Sequence, residues 1–102
     1  MPKKKPLKFV AIFRRSQSGE IGVDFPNLTG CVSFGADLSD ARKNAIEALS
    51  LHLAGLREDG DEIPAFRDIQ EILDDEETDL EGKVLVTLVE ENLAIDTQKI
   101  RV

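Results

Sequence analysis

The fold of this chain is decided by residues 8–25, KFVAIFRRSQSGEIGVDF. Its first part, Lys8–Arg15, is short, apolar and rich in β-branched and aromatic residues, which predicts a strand. Residues 16–19 are a turn cluster, and residues 20–25 alternate, with Ile21, Val23 and Phe25 on one side. The stretch therefore predicts a β-hairpin.

Beyond the hairpin, the chain breaks at residues 26–30 and forms a short third strand at residues 31–34. A long helix follows, for which Ser39 is the predicted N-cap. The helix runs to about Asp59, and Gly60 is a natural stop. Alanines recur along it at helical spacing, and such a stripe of small side chains lets a helix lie close to a sheet.

The C-terminal half predicts a short helix, an acidic loop and a last strand. Residues 66–73 carry four apolar side chains on one side: Phe66, Ile69, Ile72 and Leu73. Residues 74–81 are mostly acidic and read as a loop, and residues 83–89 (KVLVTLV) are the clearest strand. The predicted class is α+β, a mostly antiparallel sheet with one main helix packed on a face, in the order β-β-β-α-(short α)-β.

The first and last strands are apolar on both faces, which is typical of strands covered on both sides. The main helix covers one face, and the short helix is long enough for only part of the other. The remainder needs either another chain or a second copy of this one. We expect a homo-oligomer, a dimer or larger.

The chain has 102 residues, of which 41% are hydrophobic, as expected for one globular domain. No apolar run is long enough to span a membrane, and the basic N-terminus lacks the apolar stretch of a secretion signal. One cysteine allows no internal disulfide. These features predict a cytoplasmic protein with no membrane partner.

Charge is distributed unevenly along the chain. Residues 1–15 carry six Lys or Arg and no acid, whereas residues 58–91 carry fourteen Asp or Glu and two bases, Arg67 and Lys83. Such a negative surface repels nucleic acid and attracts a basic partner. The alternative interpretation is a solvated loop that is acidic for solubility.

The sequence does not contain the residue sets that several classes of enzyme need for catalysis. Cys31 and His52 are the only thiol and imidazole, and nothing in the sequence requires them to meet. A ribonuclease H-type metal site needs acids on the first and last strands, which have none in their interiors. Glycines form no phosphate-binding loop. We therefore expect no catalytic activity, no metal and no cofactor.

Residues 25–64 carry a specific resemblance. The run FPNLTGCV at 25–32 resembles the FPDLPGC signature of HicB-type antitoxins. The helix start GADLSDA at 35–41 and the segment NAIEALSLHL at 44–53 are similar to that family's next motifs, as is the ending LREDGDEIP at 56–64. This sequence departs from the family pattern at Thr29, Asp37 and His52. None of these departures removes a residue that the predicted fold depends on.

The resemblance implies a degenerate, non-catalytic ribonuclease H-like domain, assigned to residues 1–95. It also implies an antitoxin that binds and neutralises a small basic HicA-type toxin, an mRNA-cleaving protein, by covering its catalytic histidine and RNA surface. The alternative is a stand-alone HicB-like protein with an unknown small partner. Residues 96–102 look like the start of a truncated DNA-binding segment, so we expect autoregulatory DNA binding only if a further segment follows Val102.

The toxin-facing surface is expected to present acids where an RNA backbone would lie, together with apolar anchors. The acidic candidates lie at the end of the second strand, after the main helix and in the acidic loop. The complete candidate set is Asp24, Asp61, Glu62, Phe66, Ile69, Asp74, Asp75, Glu76, Glu77, Asp79 and Glu81.

Overall fold

A computed structural model describes residues 5–95. The elements are β1 (Lys8–Arg15), β2 (Ile21–Asp24), β3 (Val32–Gly35), α1 (Leu38–Asp59), α2 (Ile69–Asp74) and β4 (Lys83–Glu90). This confirms the predicted α+β class and the order of its elements. Residues 96–102, assigned above to a separate C-terminal stretch, lie outside the described residues.

The four strands form one antiparallel sheet in the order β3-β2-β1-β4. β1 lies at its centre, beside both its hairpin partner β2 and the last strand β4. The β1–β4 register shifts between Phe13 and Arg14, at a β-bulge. The β1–β2 pair places Ile12 opposite Asp24 and Arg14 opposite Gly22. The two-residue period of a strand then sets which side chains share a face.

α1 covers one face of the sheet. Its buried side chains Ala41, Ala45, Leu49 and Leu53 pack against side chains of β1 and β2. The partners include Phe9, Ala11, Phe13, Ile21 and Val23. The predicted alanine stripe therefore brings the helix close to the sheet.

Side-chain and backbone hydrogen bonds cap both ends of α1, and the predicted N-cap residue was wrong. The N-cap is Asp37 and not Ser39: Asp37 is extended, and its side chain accepts the Asp40 N–H at 2.8 Å. The Asp40 side chain in turn accepts the Ala36 N–H at 2.9 Å, which completes a reciprocal cap. Ser39 could not form this cap, because the residue three positions after it is Arg42 and not an acid. The predicted stop is confirmed, since Gly60 is left-handed at φ 71° and donates its N–H to the last turn.

Gly35 allows the close approach of β3 and α1. A Cβ at this position would lie 2.3 Å from the Ala41 backbone nitrogen. Because the backbone fixes the position of a Cβ and the atom that it would meet is itself backbone, no side-chain movement can relieve that overlap. The glycine therefore sets where α1 begins over the sheet.

The other face of the sheet is covered by the segment around α2. Val10 and Ile12 of β1 and Ile72 of α2 are 1%, 0% and 1% exposed. The single chain thus buries both faces of β1, whereas the sequence predicted that another chain or a second copy would cover part of one face. Exposed apolar side chains remain on the outer strands, at Val32, Phe34, Val84 and Leu85.

The short helix differs from its predicted range of residues 66–73. It begins at Ile69, because the Asp68 side chain caps the helix by accepting the Glu71 N–H at 2.9 Å. Phe66 precedes the helix and is 53% exposed, and Leu73 is 37% exposed. Of the predicted apolar side, only Ile72 is fully buried.

A buried ion pair joins the end of α1 to the end of β4. The Arg57 guanidinium donates two hydrogen bonds to Glu91, at 2.7 and 2.6 Å, and the Leu7 N–H donates to the same carboxylate at 2.8 Å. The Glu91 side chain is 1% exposed. Within residues 5–95, no helix is long and apolar enough to cross a membrane.

Candidate functional site

Arg14 of β1 holds the acidic loop against the sheet. Its Nε donates to the Asp24 carboxylate at 2.8 Å, and its other nitrogens donate to the backbone carbonyls of Glu81 and Asp79. Asp24 and Arg14 are diagonal neighbours in the β1–β2 register. The hydrogen bond to Asp24 is the main cause that raises the pKa of Arg14, which therefore stays charged.

The acidic loop between α2 and β4 also folds on itself. The Asp75 side chain accepts the Glu77 N–H and the Asp79 side chain accepts the Glu81 N–H, each at 2.9 Å. These local turns are the kind that aspartate forms with backbone two residues ahead. The loop is therefore built by hydrogen bonds from within and from Arg14.

Arg67 closes the loop from the side of α2. Its guanidinium lies 3.2 Å from the Asp75 carboxylate and 3.9 Å from that of Glu71. The hydrogen bond from the Glu77 N–H first, and that from Arg67 second, lower the pKa of Asp75. The two arginines neutralise part of the loop and leave the other carboxylates facing solvent.

A cavity of about 340 Å³ lies between the loop and the sheet. Its acidic lining is Asp24, Asp75, Glu77 and Asp79, and its basic lining is Arg14 and Arg67. Ile12 forms part of its wall. The arrangement offers carboxylate acceptors at the rim of a polar depression, which suits the cationic side chains of a partner.

The fold brings together only part of the candidate set. Four of its acids line the cavity: Asp24, Asp75, Glu77 and Asp79. Asp74 ends α2, where it accepts a hydrogen bond from Gln70, and Glu76 and Glu81 are exposed in the same loop. Asp61 and Glu62 are exposed after α1 and do not line the cavity. Ile69 is half-buried in α2, and Phe66 is exposed before it.

The single thiol is a core residue. Cys31 is 3% exposed among the side chains between β2 and α1, and burial raises its pKa to about 11. Such a thiol is a small apolar side chain and a poor nucleophile. Within residues 5–95, no three His, Cys, Asp or Glu side chains are grouped to hold a metal ion.

Comparison with known proteins decides the family. Residues 9–102 match the family described as HicB_like antitoxin of bacterial toxin-antitoxin systems. The chain belongs to the HicB-like antitoxin family. It is also 40% identical over 55 residues to an uncharacterized 14.9 kDa protein from the rep-hol intergenic region of Haemophilus phage HP1. That match covers 54% of this chain and 41% of the phage protein.

Solved structures of HicB proteins share the fold. The Burkholderia pseudomallei antitoxin HicB matches with a TM-score of 0.70 and 26% identity, over 86% of this chain and 65% of that protein. A chain of the HicA3 and HicB3 toxin-antitoxin complex matches with a TM-score of 0.67 and 26% identity, over 84% of this chain and 99% of its own. This chain thus spans less than two thirds of the phage protein and of the Burkholderia antitoxin.

Sequence reasoning missed the arginines that organise the site. In the sequence, Arg14 is one of two charged residues at the end of an apolar strand, and Arg67 is one of two bases in an acidic stretch. Neither position by itself indicates a role in the site. The hairpin register was the available signal for Arg14, because it places position 14 opposite Gly22 and diagonal to Asp24 across the two strands. For Arg67 the i,i+4 spacing to Glu71 was the available signal. Its contact with Asp75 spans the whole of α2 and depends on that helix forming.

Proposed function

We propose that this HicB-like chain is an antitoxin that binds a small basic toxin of HicA type through its acidic loop and neutralises it. The observation that carries the proposal is the set of Arg14 hydrogen bonds that orders the loop on the sheet. The family membership and the HicA3–HicB3 complex support a toxin as the partner.

The electrostatic argument concerns what the loop offers to an RNA-binding surface. A protein that holds phosphates has Lys and Arg arranged at phosphate spacing. Exposed carboxylates on an ordered loop present negative charge to those same groups without the entropy loss of folding a flexible tail on binding. The antitoxin would thereby cover the toxin's RNA surface.

Charges and apolar contacts have different tasks in such a complex. Exposed charges mainly accelerate encounter and make it dependent on salt, whereas desolvated contacts slow dissociation. Glu76 and Glu77 are exposed and belong to the first group. Phe66, a large apolar side chain that is 53% exposed, is the proposed anchor.

Association kinetics test the electrostatic part. In the double variant Glu76→Gln/Glu77→Gln, we expect the association rate with the toxin at low salt to fall by roughly tenfold and its salt dependence to weaken. These two side chains are preferable to Asp75, whose carboxylate also holds the Glu77 N–H and Arg67. Stopped-flow fluorescence at several salt concentrations measures the effect.

The matched control is Glu20→Gln/Glu47→Gln, which removes the same charge in the hairpin turn and on α1. It should change the rate by less than about twofold. Equal association rates for the loop variant and the parent would show that the acidic loop is not the docking surface.

The anchor has its own test. Phe66→Ala should speed toxin dissociation by about tenfold or more and leave the stability of the free chain almost unchanged, because the ring is already exposed. Phe34→Ala, at an exposed phenylalanine of β3, is the comparison. Faster dissociation for Phe34→Ala alone would place the interface at β3.

Promoter binding is proposed only for a chain in which a DNA-binding segment follows Val102.

A further inference from the structure

β4 forms an edge of the sheet, and its outer side is open. The Glu91 N–H donates to the Leu7 carbonyl at 2.9 Å, which identifies the odd-numbered residues as those that hydrogen bond to β1. Successive residues direct their N–H and C=O groups to opposite sides of a strand. The outward residues are therefore Val86, Leu88 and Glu90. Within residues 5–95, no other strand pairs with that side.

The opposite edge of the sheet is protected. β3 is four residues long, and the Asn44 side chain donates to the Phe34 carbonyl at 2.9 Å. A side chain on an edge carbonyl competes with a strand from another molecule. β4 is twice as long, and hydrogen bonds from side chains do not cover its outward groups within the described residues. Of the two edges, β4 is the one suited to pairing.

The sequence of β4 lacks the residues that usually prevent edge pairing. Its interior, VLVTLV, contains no charge and no proline. Val84 and Leu85 are 43% and 38% exposed. Charges occur only at the two ends of the strand, as Lys83 and Glu90, and they are of opposite sign.

These two charges lie on the same face of the sheet. Lys83 is opposite Arg14 across the bulge, and Glu90 is opposite Lys8. Arg14 and Lys8 are both at even positions of β1, on the face turned away from α1. Both end residues are exposed, and among residues 5–95 the ion pair of Glu90 is a 3.9 Å contact with Lys8. A strand with a base at one end and an acid at the other is complementary to an antiparallel copy of itself.

We propose that two copies of this chain pair antiparallel through β4, which joins their sheets into one. Thr87 lies opposite Thr87 of the second copy, Val86 lies opposite Leu88, and Glu90 lies opposite Val84, the extra residue at the bulge. Lys83 comes next to Val84 on the same face as Glu90, so a base and an acid are neighbours at both ends. In this register outward-facing residues are paired with each other and the four-stranded sheets keep their faces aligned. A shift of two residues in either direction shortens the ladder and separates the charges. This pairing does not depend on the toxin-binding proposal.

Sedimentation of charge-reversal variants tests the pairing. At about 100 μM the parent should have twice the 11.3 kDa mass of one chain. Lys83→Glu places two acids together at both ends, and Glu90→Lys places two bases together. Each should raise the dimer dissociation constant by roughly tenfold. An equal mixture of the two variants should form a heterodimer, because both ends then pair opposite charges.

Two controls separate this pairing from other effects. Lys43→Glu on α1 and Glu20→Lys in the hairpin turn make the same charge changes elsewhere and should leave the dimer intact. Val86→Pro removes an outward N–H without removing a hydrogen bond to β1, and it should give a monomer. Circular dichroism checks that this variant keeps its fold.

Three results would overturn the proposal. A parent that is monomeric at about 100 μM would show that the edge does not pair with itself. A dimer unaffected by Lys83→Glu, Glu90→Lys and Val86→Pro would place the contact elsewhere. A monomeric parent whose toxin binding is lost in Val86→Pro would show that the toxin, rather than a second copy, occupies the edge.

Discussion

At the scale of the residue, Arg14 shows how one side chain can order a segment that is far away in sequence. Three of its donors are used within the chain, on Asp24 and on two loop carbonyls. A guanidinium suits this task because its donors are fixed in one plane and it stays charged. The acidic loop is consequently a shaped surface, although its composition alone is typical of a flexible one.

Cys31 allows a prediction about pH. Burial raises its pKa in the folded chain to about 11, from 9.0 in the unfolded chain. Between these values the folded state binds more protons than the unfolded state, so the free energy of unfolding should fall as pH rises from 9 towards 11. Below pH 9.0 this contribution should be constant.

Urea titrations at several pH values measure this dependence. Lysines also titrate in this range, so the comparison is with Cys31→Ala, which should show a shallower fall with pH. The folded parent should also react more slowly with iodoacetamide at pH 8 than the urea-unfolded chain does. Parallel curves for the parent and the variant would show that the thiol does not contribute.

At the scale of the element, α1 illustrates how two adequate caps compete. Asp37 and Ser39 are both favourable N-cap residues, and the sequence alone favoured Ser39. The position of Asp40 decides between them, because a residue three positions after the cap can accept a backbone N–H in return. That spacing exists for Asp37 and not for Ser39.

Substitution of each residue tests this assignment. Asp37→Ala should lower the free energy of unfolding by about 1 kcal/mol, since the Asp40 N–H loses its acceptor. Ser39→Ala should change it by less than about 0.5 kcal/mol, because alanine is a good helix former within the first turn. Chemical denaturation measures both. A larger loss for Ser39→Ala than for Asp37→Ala would contradict the observed cap.

At the scale of the whole molecule, the Arg57–Glu91 pair ties three distant segments together. Glu91 follows β4, Arg57 lies in the last turn of α1 and Leu7 precedes β1. A second link joins the same regions, since Ser50 accepts the Asn92 N–H at 2.8 Å. Removal of one member of a buried pair leaves the other without its counter-charge, which costs more than the pair contributes.

We therefore expect Glu91→Ala to lower the free energy of unfolding by about 3 kcal/mol. Glu47→Ala is the control, because Glu47 is exposed on α1, away from the buried pair and from β4. Its effect should be below about 1 kcal/mol. Thermal and urea unfolding of the two variants give the comparison, and similar losses for both would show that the buried pair has no special weight.

The sequence alone determined the elements and their order, because these depend on contacts between near neighbours along the chain. The strand at Lys8–Arg15, the alanine-lined helix ending at Gly60 and the acidic character of the loop are all local patterns. The family motif between residues 25 and 64 is local in the same sense.

Only the tertiary structure decided what lies beside what. Arg14 meets the carbonyls of Asp79 and Glu81 across 65 and 67 positions of sequence, and Glu91 meets Leu7 across 84. Neither contact has a local signal, since each depends on β4 returning beside β1. Within residues 5–95, the same return leaves the outer side of β4 without a neighbouring strand. It also buries both faces of β1, where the sequence predicted cover by another chain or a second copy. The spacing of apolar residues in a strand shows that a face of the sheet is apolar. Which part of the chain covers that face depends on where the connecting segments pass.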